Sequence, residues 1–176
     1  NLMDERRLQL PEGVTEFRVT RSRAHNGGWL LHSIDQMPLQ WPSTLERLTL
    51  LPQDPLHMTW DLNKEYNLPP SLTYLMIRTA TCQLSEPFKY LPRSLKHLGL
   101  EIRQEEVLSR EQLASLPTGL LQIFSNTINF APEDMTALPP TMTRLRFVGG
   151  GPWSDVHIRS LVNYMPGLKT LIVRTA

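Results

Sequence analysis

Apolar positions recur along the chain in a fixed pattern, which is clearest between Leu91 and Leu100. There, an apolar residue and a proline precede two turn-forming residues, and apolar residues follow at Leu95, Leu98 and Leu100. Proline fixes its own φ and disfavours the helical region for the residue before it, so a preceding helix must end there. Leu98 and Leu100 are separated by one residue outside the apolar pattern, and this alternation predicts a short strand with one buried face.

The pattern occurs seven times, and successive prolines are 22 to 31 residues apart. One such strand cannot bury its apolar face alone, whereas stacked copies form a parallel sheet over a continuous core. The sequence therefore predicts an α/β solenoid of about seven repeats, with a parallel β-sheet on the concave face and irregular loops and short helices on the convex face. The predicted repeat cores are residues 10–19, 41–50, 68–77, 91–100, 116–125, 138–147 and 165–173. The fifth core is degraded, because Ser125 stands where the others have an apolar residue.

Few helices are predicted between the strands. They are a helix over residues 154–164 capped by Ser154, a helix following the capping-box pair Ser109 and Gln112, and a helical turn begun by Pro132. The residues expected to share one face of the first helix are Ile158, Leu161, Val162 and Met165. The segments after Thr20 and Leu50 are predicted as loops with some local helix.

The Leu-Pro-x-x-Leu-x-x-Leu-x-Leu core resembles the leucine-rich repeat family, and the mean spacing of about 26 residues lies within the family's 20–29. It is especially similar to the FNIP-type repeats of amoebae and large viruses, which often stand beside an F-box. It is also similar to the Leu-Pro-rich repeats of secreted bacterial effectors, some fused to a ubiquitin-ligase domain, although those repeats are shorter and more regular. The resemblance implies a curved solenoid with protein ligands. The family's asparagine after the strand is missing, and residues such as Ala80 and Arg103 take its place, so another group must satisfy the loop backbone.

The residues that alternate with the buried strand positions are predicted to face solvent on the concave side. They include six arginines and no lysine, against two carboxylates, in a chain of net charge +1. Arginine and aromatic residues are enriched at protein interfaces, so this face is the candidate binding surface. The candidate partner-binding residues are Arg18, Arg47, Tyr74, Met76, Arg78, His97, Phe124, Arg144, Arg146 and Arg174. The alternative is that these arginines are only solvated side chains on a sheet.

The composition excludes several classes of protein. Near-neutral charge gives nucleic-acid binding little support, and no apolar run approaches the roughly 18 residues of a membrane span. The single cysteine, Cys82, rules out an internal disulfide and is typical of an intracellular, cytoplasmic chain. The five histidines show no metal-ligand spacing, and Gly149 to Gly151 lack the Gly-Lys-Ser/Thr ending of a phosphate loop. The sequence predicts no catalytic residue, metal site or cofactor.

These patterns favour a non-enzymatic scaffold that binds a protein partner. The alternative is the substrate-recognition region of a ubiquitin-ligase component, F-box-linked or effector-type, whose catalytic or adaptor module lies outside this chain. Residues 1–176 are expected to form a single leucine-rich-repeat domain that is a fragment of a longer chain. Because the last strand is followed by no polar capping repeat, a dimer through the exposed solenoid end is a further expectation.

Overall fold

Seven parallel strands form the main sheet, and each follows one of the seven proline motifs. In sheet order they are β1 (Glu16–Val19), β2 (Arg47–Leu50), β4 (Tyr74–Thr79), β6 (His97–Ile102), β8 (Gln122–Ser125), β10 (Arg144–Val148) and β11 (Thr170–Arg174). The computed structural model describes residues 10–19, 41–51, 59–61, 67–79, 81–83, 88, 90–102, 106–126, 128–148 and 153–174. Outside this description lie most of the predicted loops after Thr20 and Leu50, the glycine-rich residues 149–151, and the side chains of Cys82 and Arg174.

A hydrogen-bonded turn leads into every strand of the main sheet. In the fourth motif the Leu95 amide donates to the Pro92 carbonyl at 3.1 Å, which closes a β-turn. The amides of Lys96 and His97 then both donate to the Thr73 carbonyl of the preceding repeat, at 2.8 and 3.0 Å. The turn therefore fixes where each strand starts relative to its neighbour.

The seventh motif departs from this arrangement. There the Leu168 amide donates to the carbonyl of Met165, so Met165 occupies the place that proline holds in the other six turns. Pro166 and Gly167 become the two central residues. Because proline presets the φ of the first central turn residue and glycine is permissive at the second, the turn is preserved with the proline moved by one position.

The core lies on one side of the main sheet. Strand residues such as Leu48, Leu75 and Leu98 are buried and lie in register across the sheet. Ser125 lies in register with Leu100 and Phe147 and is 0% exposed, so the fifth repeat keeps its register with a serine in the core position. The fifth motif was therefore correctly aligned from the sequence.

Four further strands form two small parallel sheets. In the sequence, each of these strands comes between two strands of the main sheet. One pairs β3 (Thr59–Asp61) with β5 (Thr81–Gln83), and the other pairs β7 (Glu106–Leu108) with β9 (Ile128–Phe130). The expectation of irregular loops and short helices was wrong for these four segments. Each strand has only three residues, which is too short for an alternating pattern to be recognised in the sequence.

The helices are α1 (Arg110–Ser115), a 3-10 helix (Pro132–Ala137) and α2 (Asp155–Tyr164). The predicted capping box of α1 is confirmed: the Gln112 amide donates to Ser109 Oγ at 3.3 Å, and the Ser109 amide donates to Gln112 Oε1 at 2.7 Å. The predicted buried face of α2 is partly wrong. Leu161 and Met165 are buried, but Val162 is 71% and Ile158 37% exposed, so the described residues, among them the 3-10 helix that α2 packs against, cover only part of the predicted face.

Hydroxyl groups of the entrance turns link successive repeats. A serine or threonine at the second central turn position donates its hydroxyl hydrogen to a backbone carbonyl of the preceding repeat. The pairs are Thr44 to Val14 (3.0 Å), Ser71 to Leu45 (2.8 Å), Ser94 to Leu72 (2.7 Å) and Thr141 to Leu120 (2.9 Å). This hydroxyl ladder satisfies carbonyls at the entrance of the sheet.

Candidate functional site

The face of the main sheet opposite the core carries two rows of side chains, which we call the solvent face. Strand pairing places the members of each row side by side. The first row is Glu16, Arg47, Tyr74, His97, Gln122, Arg144 and Thr170, and the second is Arg18, Thr49, Met76, Gly99, Phe124, Arg146 and Ile172. Every strand of the main sheet thus contributes one residue to each row.

Contacts in the first row connect five adjacent strands. Glu16 Oε1 lies 3.9 Å from Arg47 Nε, and the Arg47 guanidinium lies over the Tyr74 ring, 4.2 Å from its centroid. The Tyr74 and His97 rings are 5.9 Å apart, and His97 Nδ1 lies 3.3 Å from Gln122 Oε1. Neighbouring strands are about 4.8 Å apart, so such contacts join side chains that directly face each other across strands. The row is a continuous line of polar and aromatic groups.

A pocket opens in the second row at Gly99. Met76 and Phe124 occupy the equivalent positions on the two adjacent strands, and the Met76 sulfur lies where a Cβ of residue 99 would stand, so it forms part of the floor of the pocket. Its volume is about 280 Å³. The lining residues are Tyr74, Met76, His97, Leu98, Gly99, Glu101, Gln122, Phe124 and Arg146.

Arg78 and Arg18 form the two closest ion pairs on this side of the main sheet, while the contact between Arg47 and Glu16, at 3.9 Å, is looser. Arg78 pairs with Glu101 across β4 and β6 through both Nε and Nη2, and these side chains are 24% and 18% exposed. Arg18 Nη2 lies 2.7 Å from Glu16 Oε1 at a more exposed position. These two pairs neutralise the charge at their own places on the sheet.

The arginines of β10 have a different environment. Arg144 and Arg146 are both exposed, and neither forms an ion pair with a residue that the structure describes. The Arg146 guanidinium lies 4.9 Å from the Phe124 ring centroid, which orients it beside the pocket. Positive charge therefore remains available at this end of the solvent face.

The structure brings together half of the ten candidate residues named from the sequence. Those that line the pocket are Tyr74, Met76, His97, Phe124 and Arg146. Arg47 lies against Tyr74 and Arg144 lies on the same strand as Arg146, whereas Arg18 and Arg78 are engaged in ion pairs. Of Arg174 only the backbone is described, opposite Val148.

Four lining residues of the pocket were missed as site residues: Leu98, Gly99, Glu101 and Gln122. Aligning the repeats by their prolines places Gly99 between Met76 and Phe124, so the sequence does contain the signal for a depression. A glycine inside a strand marks a place where a side chain is absent and another group can approach closely. Here the group that approaches Gly99 is the Met76 sulfur.

The described part of the chain offers little for other kinds of site. Its histidines and carboxylates form no group of three or more that could hold a metal ion. Within the same residues, no helix has the length and apolar character needed to cross a membrane.

The motif spacing, the common entrance turn and the seven-stranded parallel sheet give the chain a leucine-rich-repeat-like fold. No protein-family model and no curated protein matches the sequence. Among solved structures, the chain is similar to CroV588, described as a novel circular leucine-rich-repeat protein, with a TM-score of 0.40 and 18% identity. The similarity covers 76% of this chain and 24% of CroV588, so the matched part is about a quarter of that protein.

Proposed function

We propose that this chain is a non-enzymatic scaffold that binds a protein partner through the solvent face of its main sheet. One observation carries the proposal: the contacts that run from Glu16 to Gln122 join side chains of five adjacent strands into a single surface. Side chains that already contact one another in this way present a partner with one continuous surface.

The composition of this surface supports the proposal. Arginine, tyrosine, phenylalanine and methionine are enriched at protein interfaces, and lysine is depleted. Here Arg47 and Arg146 each lie over an aromatic ring of the neighbouring strand. Side chains that are already positioned lose less conformational entropy when a partner binds, which favours affinity.

The charge of the surface indicates the chemistry of the partner. Arg144 and Arg146 are exposed without a carboxylate among the described residues, and the guanidinium fork suits carboxylates. A partner with an acidic patch would complement this charge, and complementary charge increases both specificity and association rate. The proposed partner is therefore a protein with an acidic binding segment.

The test is affinity capture from a nuclease-treated lysate, read by mass spectrometry. Three baits are compared: the wild type, a face variant (Arg47→Glu, Arg144→Glu, Arg146→Glu) and a control variant (Arg93→Glu, Arg110→Glu, Arg159→Glu). The control makes the same change of charge at exposed arginines of a turn and two helices. A protein captured by the wild type and the control, but lost from the face variant, supports the proposal. Equal capture by all three baits contradicts it, and ubiquitin-pathway components in the specific fraction would favour a role in substrate recognition for a ligase.

A further inference from the structure

We propose that the pocket at Gly99 receives one aromatic side chain from an acidic segment of the protein partner. This inference rests on the proposed function and adds the identity of the anchoring group. It arises from three properties of the pocket: its size, its lining, and the arginines on either side of it.

The size of the pocket suits a single side chain. Its volume of about 280 Å³ lies just below the roughly 300–1,000 Å³ that is usual for small-molecule and cofactor sites. A buried aromatic anchor in a well-fitting pocket is the commonest form of binding hot spot. A single aromatic side chain fits within this volume against the Met76 side chain.

The lining favours an aromatic ring over an aliphatic one. Tyr74 and Phe124 provide ring faces and edges on two sides, and aromatic pairs gain stability beyond the area that they bury. The Met76 sulfur lies in the space that a Cβ at residue 99 would need, so it covers the floor of the pocket. Methionine is flexible and forms favourable sulfur–aromatic contacts, so Met76 can turn aside and pack against an entering ring.

Arginines lie on both sides of Gly99: Arg146 lines the pocket, and Arg47 lies beyond Tyr74 in the first row. Gly99 lies on β6, while Arg47 lies two strands away on β2 and Arg146 two strands away on β10. Four strand intervals span about 19 Å, which an extended segment of about six residues covers. Glu101 is held by Arg78, so the nearest carboxylate of the pocket is already neutralised. The geometry therefore fits a short segment with a central aromatic residue and acidic residues towards both ends.

The probe for this inference is a capped seven-residue peptide with a central phenylalanine, a glycine on each side, and two glutamates at each end. One control peptide has alanine at the centre, and the other has lysine in place of every glutamate. Each is titrated into the isotope-labelled protein while the Gly99 amide and Met76 methyl resonances are followed by NMR. We expect saturable shifts with the phenylalanine–glutamate peptide, and binding weaker by about tenfold or more with either control peptide.

Three variants test whether the shifts report binding at the pocket. Gly99→Thr places a side chain where the Met76 sulfur now lies, and the fold should accept it because the flexible Met76 side chain can move towards the opening of the pocket and help to fill it. It should weaken binding of the phenylalanine–glutamate peptide by about tenfold or more. Ile172→Thr, at the same row position three strands away on β11, should leave binding unchanged. A variant with Arg47→Glu and Arg146→Glu should also lose binding while remaining folded.

Equal binding of the phenylalanine and alanine peptides, or unchanged binding by Gly99→Thr, would overturn the pocket as an aromatic site. Equal binding of the glutamate and lysine peptides would overturn the acidic segment. An absence of shifts with every peptide would overturn the inference as a whole. These failures are distinct from failure of the proposed function. If a captured partner needs the arginines but binds Gly99→Thr normally, the proposed protein-binding function holds and only the role of the pocket is refuted.

Discussion

The hydroxyl of Ser94 donates a hydrogen bond to the backbone carbonyl of Leu72 in the preceding repeat, at 2.7 Å. The same bond recurs wherever the second central turn residue is the hydroxyl-bearing Thr44, Ser71, Ser94 or Thr141. Each bond joins a turn to the repeat before it, next to the point where the strand begins. The ladder therefore contributes to holding the strands in register.

Removal of one hydroxyl should destabilise the protein measurably. Ser94→Ala leaves the partly buried Leu72 carbonyl without this donor, which should lower the free energy of unfolding by about 1 kcal/mol. Urea denaturation followed by circular dichroism measures the change. Ser43→Ala, at an exposed turn position, is the control and should change stability by no more than about 0.5 kcal/mol. Equal effects of the two substitutions would show that the hydroxyl ladder contributes nothing to the free energy of unfolding.

The ladder can also be extended. Gly119 holds the second central position of the fifth turn, and its φ is not in the left-handed region, so a side chain is sterically acceptable to the backbone. A Cβ there would meet Lys96 Nζ at 2.7 Å, which is the movable end of a long side chain. Gly119→Ser should therefore raise the free energy of unfolding by about 0.5–1 kcal/mol, through a new bond towards Leu95 and reduced freedom of the unfolded chain.

The matched control is Gly13→Ser at the equivalent position of the first turn. The φ of Gly13 is +93°, a conformation that side-chain-bearing residues rarely adopt, although no atom lies within 4 Å of a Cβ there. This substitution should lower stability by about 1 kcal/mol or more, because the backbone strain exceeds any gain. Stabilisation by Gly13→Ser, or destabilisation by Gly119→Ser, would contradict this account of the two glycines.

The ion pair between Arg78 and Glu101 should stabilise the sheet more than the pair between Arg18 and Glu16. The first pair is only 24% and 18% exposed, while the second is 56% and 43% exposed. Double-mutant cycles should give a coupling of about 1–2 kcal/mol for the first pair and less than about 0.5 kcal/mol for the second. Repeating both cycles in 1 M salt tests whether burial explains the difference in coupling energy. Salt should abolish the coupling of the exposed pair, Arg18 and Glu16, and leave that of the buried pair. Equal coupling energies would refute the role of burial.

The strands of the main sheet could be predicted because their signal is repeated. Proline, turn residues and alternating leucines mark each strand entrance, and comparison of copies fixes the register even where Ser125 replaces an apolar residue. β3 and β5 could not be predicted in this way. A three-residue strand such as Thr59–Asp61 contains a single alternation, and its pairing exists only once neighbouring repeats are stacked.

The candidate site was predictable in composition but not in arrangement. Alignment of the repeats names Arg47, Tyr74 and Phe124 as residues of one face, yet it does not show which arginines are neutralised. That depends on side-chain geometry, as in the pairing of Arg78 with Glu101 across two strands. The α2 residue Val162 shows the same limit, since its exposure depends on what packs against the helix rather than on its position in the pattern.

The most direct test of the scaffold is the dissociation constant of the captured partner for the wild type, the face variant and the control variant. The account predicts that Arg47→Glu, Arg144→Glu and Arg146→Glu together weaken binding by about 100-fold or more, since reversal both removes attraction and adds repulsion to an acidic surface. The matched reversal of Arg93, Arg110 and Arg159 should change it by less than about threefold, because those residues lie off the solvent face. All three proteins should unfold at similar temperatures. Equal weakening by the two variants would mean that only total charge matters, and undiminished binding by the face variant would contradict the proposed function.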